Sequence, residues 1–217
     1  VLDSARGMTA RTVAKVGPDW QVQQQGADTA NALAALDATI PGHRQAVVGF
    51  ADIAGLSAAV GGTVQTTGPG KAVGLDLSAY AAMFPAQVRL MTGNLAGAVI
   101  AQQTAANLHA AVRDKISIAR IGADPVTVTV EGVIDLPQAD QFFQQVGGTA
   151  RTGPTAPPDN VVLLPPDAFA AAFGAQLDSA PQIAWRQLHV ALDHAALPAD
   201  PVAALTQSAG LARHFEA

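Results

Sequence analysis

KISIARI at residues 115–121 and VTVTVEGVI at residues 126–134 decide the fold class. In the first, Ile116 and Ile118 alternate with Lys115, Ser117 and Ala119; in the second, Val126, Val128 and Val130 alternate with threonines and Glu131. Successive side chains of a strand point to opposite faces, so each stretch is a strand with one apolar face. Gly122-Ala123-Asp124-Pro125 between them supplies turn residues, and the pair reads as a β-hairpin.

Downstream, Pro137 opens a helix with Ala139, Phe142, Phe143 and Val146 on one stripe, and Asp135 caps it. Residues 147–160 (GGTARTGPTAPPDN) read as a linker, followed by a buried strand at Val161–Leu164. Pro166 opens a helix carrying Phe169 and Phe173 that Gly174 ends. Leu188, Val190 and Leu192 mark a half-buried strand, and Asp200-Pro201 starts a last helix with Val202, Leu205, Ala209 and Ala212 inward.

Upstream, GAVIAQ (97–102) reads as a buried strand and TAANLHAAV (104–112) as a helix with Ala105, Leu108 and Val112 on one face. A short helix spans Ser78–Phe84 and stops at Pro85. Residues 63–67 and 71–77 flank Gly68-Pro69-Gly70, which reads as a hairpin or tight loop. QAVVGFADIAGL (45–56) is a strand, preceded by a helix over 29–39 with Asp28 at its cap and Leu33, Leu36 and Ile40 inward. WQVQQQ (20–25) is a strand with Trp20 and Val22 on one face, and residues 1–16 form a helix stopped by Gly17-Pro18.

The order is βαβ, then a β-rich middle, then βαβα. It predicts an α+β fold: a split βαβ-type α/β lobe, residues 1–60 and 155–217, with an inserted β-rich lobe at 61–154.

Composition removes several function classes. Charged residues are 13% of the chain, against about 25% in an average domain, so the surface is polar but weakly charged. A net charge of -5 without any Lys/Arg cluster leaves no electrostatic footprint for nucleic acid. The absence of cysteine excludes a disulfide framework, a thiolate metal site and a thiol nucleophile. The sequence starts without Met, carries no signal peptide and has no apolar run of about 20 residues, so a longer parent chain is expected.

No catalytic or cofactor motif emerges. Gly70-Lys71 misses the phosphate loop, because Gln65 and Ala72 stand where Gly and Ser or Thr are required. Among the five histidines only His189 and His194 are close, and on a strand their offset puts them on opposite faces, so no metal is expected. Asp135 and Asp140 could be weighed as an acid/base pair, but the capping role explains Asp135 better. No catalytic residue and no cofactor is therefore assigned. The glutamines at 21, 23–25, 102, 103, 138, 141, 144 and 145 read as a solvated face.

AVGLDLSAY (72–80), TGNLAGAVIAQQTAANLHA (92–110), RDKISIARI (113–121) and VTVEGVIDLPQAD (128–140) together resemble the extracytoplasmic (periplasmic) domain of FtsX-like and MacB-like ABC transporter permeases. The family pattern has Gly before the hairpin Asp, where this chain has Arg113 before Asp114. The resemblance implies a porter-like α/β lobe with an inserted sabre-like lobe, set between two transmembrane helices on the extracytoplasmic face of the bacterial plasma membrane. It also implies three partners: a cytoplasmic ABC ATPase reached through the transmembrane part, a second permease copy or homologue, and an extracytoplasmic protein, peptide or lipid cargo.

The function expected is coupling of cytoplasmic ATP hydrolysis to that cargo or partner, not enzymatic catalysis by this chain. A free-standing secreted binding or adhesion module of similar fold is the alternative. Arg6, Arg11 and Lys15 would lie beside the outer membrane surface, where they could meet lipid headgroups. Partner contact is expected on the β-rich lobe at Pro69, Met83 and Phe84, taken as exposed apolar tips, against a core reading for Phe84.

Overall fold

A computed structural model describes residues 17–24, 29–144, 157–198 and 200–216. The fold is α+β. Its described elements are β1 (Trp20–Gln24), α1 (Thr29–Thr39), β2 (Arg44–Val60), β3 (Thr63–Thr66), β4 (Gly70–Gly74), α2 (Leu77–Met83), β5 (Arg89–Gly93) and β6 (Ala98–Ala101). They continue with α3 (Gln102–Leu108), β7 (Lys115–Arg120), β8 (Val126–Asp135), α4 (Ala139–Phe142), β9 (Val161–Leu164), α5 (Pro166–Ser179), β10 (Ala184–Ala191) and α6 (Pro201–Glu216). The expected helix over 1–16, the Asp28 cap, Val146 and residues 147–156 of the linker lie outside the described residues.

β7 and β8 pair antiparallel from Lys115↔Thr129 to Ile118↔Val126, the hairpin that their alternation predicts. The second hairpin is elsewhere than expected. β3 and β4 do not flank a turn at Gly68-Pro69-Gly70; both pair with β2 along one edge, in one register from Val60↔Thr63 to Gly49↔Gly74. The turn is Gly61-Gly62, at φ 58° and 81°. Two successive left-handed residues match the twist of a two-residue hairpin, and glycine reaches that region without a Cβ clash. Residues 67–69 are a break in the returning strand, where Thr67 N–H donates to Leu56 O at 2.8 Å.

The 17 residues of β2 organise the sheet. Its other edge pairs first with β10, Arg44 to Ala51, and then with β7, Ile53 to Ala58. β4 pairs parallel with β9, β9 antiparallel with β6, β6 parallel with β8, and β8 with β7. Six strands thus form a closed, barrel-like circuit of pairing. β9, which follows the linker, lies inside that circuit between β4 and β6.

One face of all six strands meets in a single core: Ile53, Ala72, Val162, Ile100, Val130 and Ile118 are buried together. Leu108 of α3 and Phe173 of α5 close over it. α5 runs through Gly174 to Ser179 instead of stopping there, because its buried stripe of Phe169, Phe173 and Leu177 outweighs the ~1 kcal/mol that a helical glycine costs. α3 ends earlier than expected, at a left-handed His109 (φ 53°), and Val112 packs on the core from the following turn.

β1 and β2 flank β10, each antiparallel to it, so they run parallel to one another. Leu36 and Ile40 of the α1 region pack with Leu188 and Val190 of β10. β10 is therefore buried on both faces, not half-buried as its alternation implied. α6 starts at Asp200, whose Oδ2 accepts from Ala203 N–H at 2.8 Å. Its inward face differs from expectation: Val202 is 72% exposed and Ala209 is exposed, while Leu211 packs on the cluster around β10. The side chains of Leu205 and Ala212 lie outside the described ones.

Candidate functional site

Buried polar groups gather on the sheet face that α2 and α4 cover, and a separate pair, Thr104 and Asn160, lies where α3 meets β9. Asp76 caps α2, its Oδ1 accepting from Ala79 N–H at 2.9 Å, which turns Leu77 and Tyr80 inward. Tyr80 Oη lies 2.8 Å from His189 Nδ1, and His189 Nε2 lies 3.2 Å from Gln187 Oε1. Gln187 Oε1 can only accept, which places the imidazole proton on Nε2 and makes Tyr80 the donor to Nδ1. Gln187 Nε2 then reaches Gln144 O at 3.4 Å.

Aromatic rings enclose this relay. Phe142 stands edge-on to Tyr80 at 5.6 Å and to His189 at 5.8 Å, and Phe84 lies 5.0 Å from Tyr80. Burial lowers the His189 pKa to about 3 and raises that of Tyr80, since each would have to leave water to carry its charge. Both groups are neutral at physiological pH. With Tyr80 1% and His189 0% exposed, the relay acts as a bolt between α2, β10 and the segment after α4.

Towards the end of this face Lys71 pairs with Asp52 across the β2–β4 ladder, and its Nζ stands 4.5 Å above the Trp185 ring. Trp185 in turn stacks on Phe50 at 5.7 Å and 16°. The lysine thus joins a carboxylate and a ring face at once, which fixes a flexible side chain over the edge of the aromatic cluster.

The glutamines are not one solvated face. Gln21, Gln87 and Gln141 form a seam: Gln87 Nε2 donates to Gln141 Oε1 at 3.0 Å, and Gln21 Nε2 donates to Gln141 O at 2.8 Å. Gln102, Gln103, Gln138 and Gln144 are exposed. The spacing in sequence could not separate the two groups, because the seam is assembled from β1, α4 and the turn before β5.

A groove of about 400 Å³ opens between α3 and α4, with Ala101, Leu136, Phe143 and Val161 as its apolar lining and Asp135 and Asp159 among its polar residues. Asp135 does not cap α4; it pairs with Arg89 at 2.6 Å across β8 and β5, and Gln138 stands at the start of the helix. α4 itself spans four residues, Ala139–Phe142.

The three residues singled out for partner contact fall on two elements. Pro69 is exposed in the break between β3 and β4, where its carbonyl accepts from Asn160 Nδ2 at 3.1 Å. Met83 is half-buried at the end of α2. Phe84 is no exposed tip: at 4% exposure it belongs to the aromatic cluster, because the α2 turn that brings Tyr80 to His189 carries Phe84 onto the same face. Sequence reasoning missed Leu90 and Met91 on β5, 44% and 48% exposed, where the register slips by one residue and Met91 bulges.

His194 lies beyond β10 and binds Asp19 Oδ1 at 2.8 Å, away from the buried His189. Among the described residues no group of three or more His, Cys, Asp or Glu is placed to hold a metal ion, and no helix is long and apolar enough to cross a membrane. Compared with known proteins, the chain is matched by no family model and by no curated protein.

Proposed function

We propose that this chain is the extracytoplasmic domain of an ABC transporter permease of the FtsX-like or MacB-like kind, which couples ATP hydrolysis by a cytoplasmic subunit to an extracytoplasmic protein, peptide or lipid. The observation that carries the reading is the contact between the first and the last described elements. The first described strand, β1, lies against β10, and Trp20 Nε1 donates to Ser208 Oγ of α6 at 3.2 Å. The first described strand and the last described helix therefore pack together, as a domain threaded between two membrane spans requires.

Arg113 adds a second, local support. It sits at φ 78°, in the region glycine favours, at the position where the family pattern carries Gly. Its N–H donates to Val130 O at 2.7 Å, which starts the β7–β8 pairing.

The test is made on the full-length parent protein in intact cells. The coding sequence on either side of Val1 and Ala217 should specify apolar spans of about 20 residues. Val64→Cys, at a position 66% exposed in a chain without cysteine, should react with a membrane-impermeant maleimide before lysis. Missing spans, or labelling only after lysis, would sink the reading and leave the free-standing binding module.

A further inference from the structure

The glutamine seam closes over Gly17, three residues before β1. Gly17 N–H donates to Gln141 Oε1 at 3.2 Å, the same oxygen that accepts from Gln87 Nε2 at 3.0 Å, while Gln21 Nε2 holds the Gln141 carbonyl at 2.8 Å. A Cβ on Gly17 would stand 2.3 Å from Gln87 Nε2 and 2.6 Å from Gln141 Oε1, so only glycine fits beneath the closed seam. Gln87 is fully buried, and its Oε1 has no partner among the described residues. A buried carbonyl without a donor opposes closure, and opening the seam to water would relieve it.

α4 is too short to hold its own place, since isolated helical turns are unstable without tertiary contacts. Its anchors are Phe142 in the aromatic cluster and the polar ties of Gln141. Ala139 and Phe143, on either side, line the groove of about 400 Å³.

We infer that Gln141 is a two-state latch that links the chain at Gly17 to the position of α4 and the groove wall. Closed, it ties Gly17, Gln21 and Gln87 to one residue of α4. Open, the Gln87 carbonyl and the freed amides pass to water, and α4 shifts on the sheet. Two discrete arrangements of a packed element are what lets a displacement at one place appear at another. That the displacement arrives from a membrane span preceding Gly17 rests on the function proposed above; the latch itself does not.

Amide hydrogen exchange on the whole chain tests the link through a double-mutant cycle of Gly17→Ala, Gln141→Ala and the pair. The amides read are Phe142 and Phe143, which donate to Gln138 O and Ala139 O, with Val162 and Ile118 of the closed core as references. Each single variant should speed exchange at Phe142 and Phe143 about tenfold, which converts to about 1.4 kcal/mol, with Val162 and Ile118 unchanged and no further gain in the pair. Equal acceleration at Val162 and Ile118, multiplying effects in the pair, or no change at Phe142 and Phe143 would each overturn the latch. If Gly17→Ala does not fold, Gln87→Ala replaces it in the same cycle with the same expected outcome. Absence of membrane spans around the parent domain would remove the transport reading and leave this cycle unaffected.

Discussion

Gly49 and Gly74 stand opposite one another across the β2–β4 ladder, and the ring of Phe169 from α5 lies over both of them. A Cβ would come within 2.4 Å of the ring at Gly49 and within 2.2 Å at Gly74. The missing side chains form the slot that lets α5 sit against the sheet.

Gly49→Ala should therefore destabilise the chain by about 1–3 kcal/mol through overpacking. In a Phe169→Leu background the same substitution should cost less than half as much, because leucine lacks the Cε1 and Cζ atoms that the added methyl group at Gly49 would meet. Urea midpoints of the four proteins in the cycle measure the coupling; strict additivity would refute the packing account.

Phe84→Ala should lower stability by about 3–5 kcal/mol, the range for removing a buried aromatic ring. Phe84 packs 5.0 Å from Tyr80 and is 4% exposed. Thermal unfolding decides the point, since a variant that melts with the parent would return Phe84 to the surface.

His189 makes stability depend on pH. Its pKa is lowered by burial from 6.5 to about 3, so between those values the unfolded chain takes up a proton that the folded chain refuses. Stability from this group is full above pH 6.5 and falls as pH drops towards 3, by at most about 1.4 kcal/mol per pH unit. His189→Gln keeps an acceptor for Tyr80 and cannot titrate; its loss of stability between pH 7 and pH 5 should be smaller than the parent's in urea titrations, and an equal loss would count against the buried neutral imidazole.

Arg113→Gly should raise stability by about 0.5–1 kcal/mol. Arg113 holds φ 78°, which costs a side-chain-bearing residue more than the entropy that glycine adds to the unfolded chain. A differential scanning comparison at one scan rate measures the shift, and a lower melting temperature in the variant would contradict it.

Much of the fold is legible in the sequence. The α1 span, the β7–β8 hairpin and Val161–Leu164 follow from period and turn residues, because the apolar positions of each segment satisfy one local geometry. At Gly68-Pro69-Gly70 the loop reading stands and the hairpin reading fails, because local turn chemistry does not say whether two strands pair with each other or with a third. Gly61-Gly62 carried the hairpin, and only the common register of β3 and β4 on β2 reveals it.

The candidate site was far less legible. Tyr80, Gln187 and His189 lie 109 residues apart at their extremes, and no spacing rule joins a helix near the start of the middle segment to a strand near the end. The same holds for the seam: Gln21 and Gln141 read from sequence as surface residues, and nothing in the sequence singles out Gln87.

By itself, the sequence determined the weakly charged surface, the absence of thiol chemistry, the α+β order of elements and the apolar face of most of them, all of which are properties of composition and local period. The tertiary structure decided which strands close the circuit, that β10 is buried on both sides, and where Phe84, His189 and the glutamines lie. Those outcomes depend on packing between distant segments, where burial and hydrogen bonding are set by neighbours that local sequence does not name.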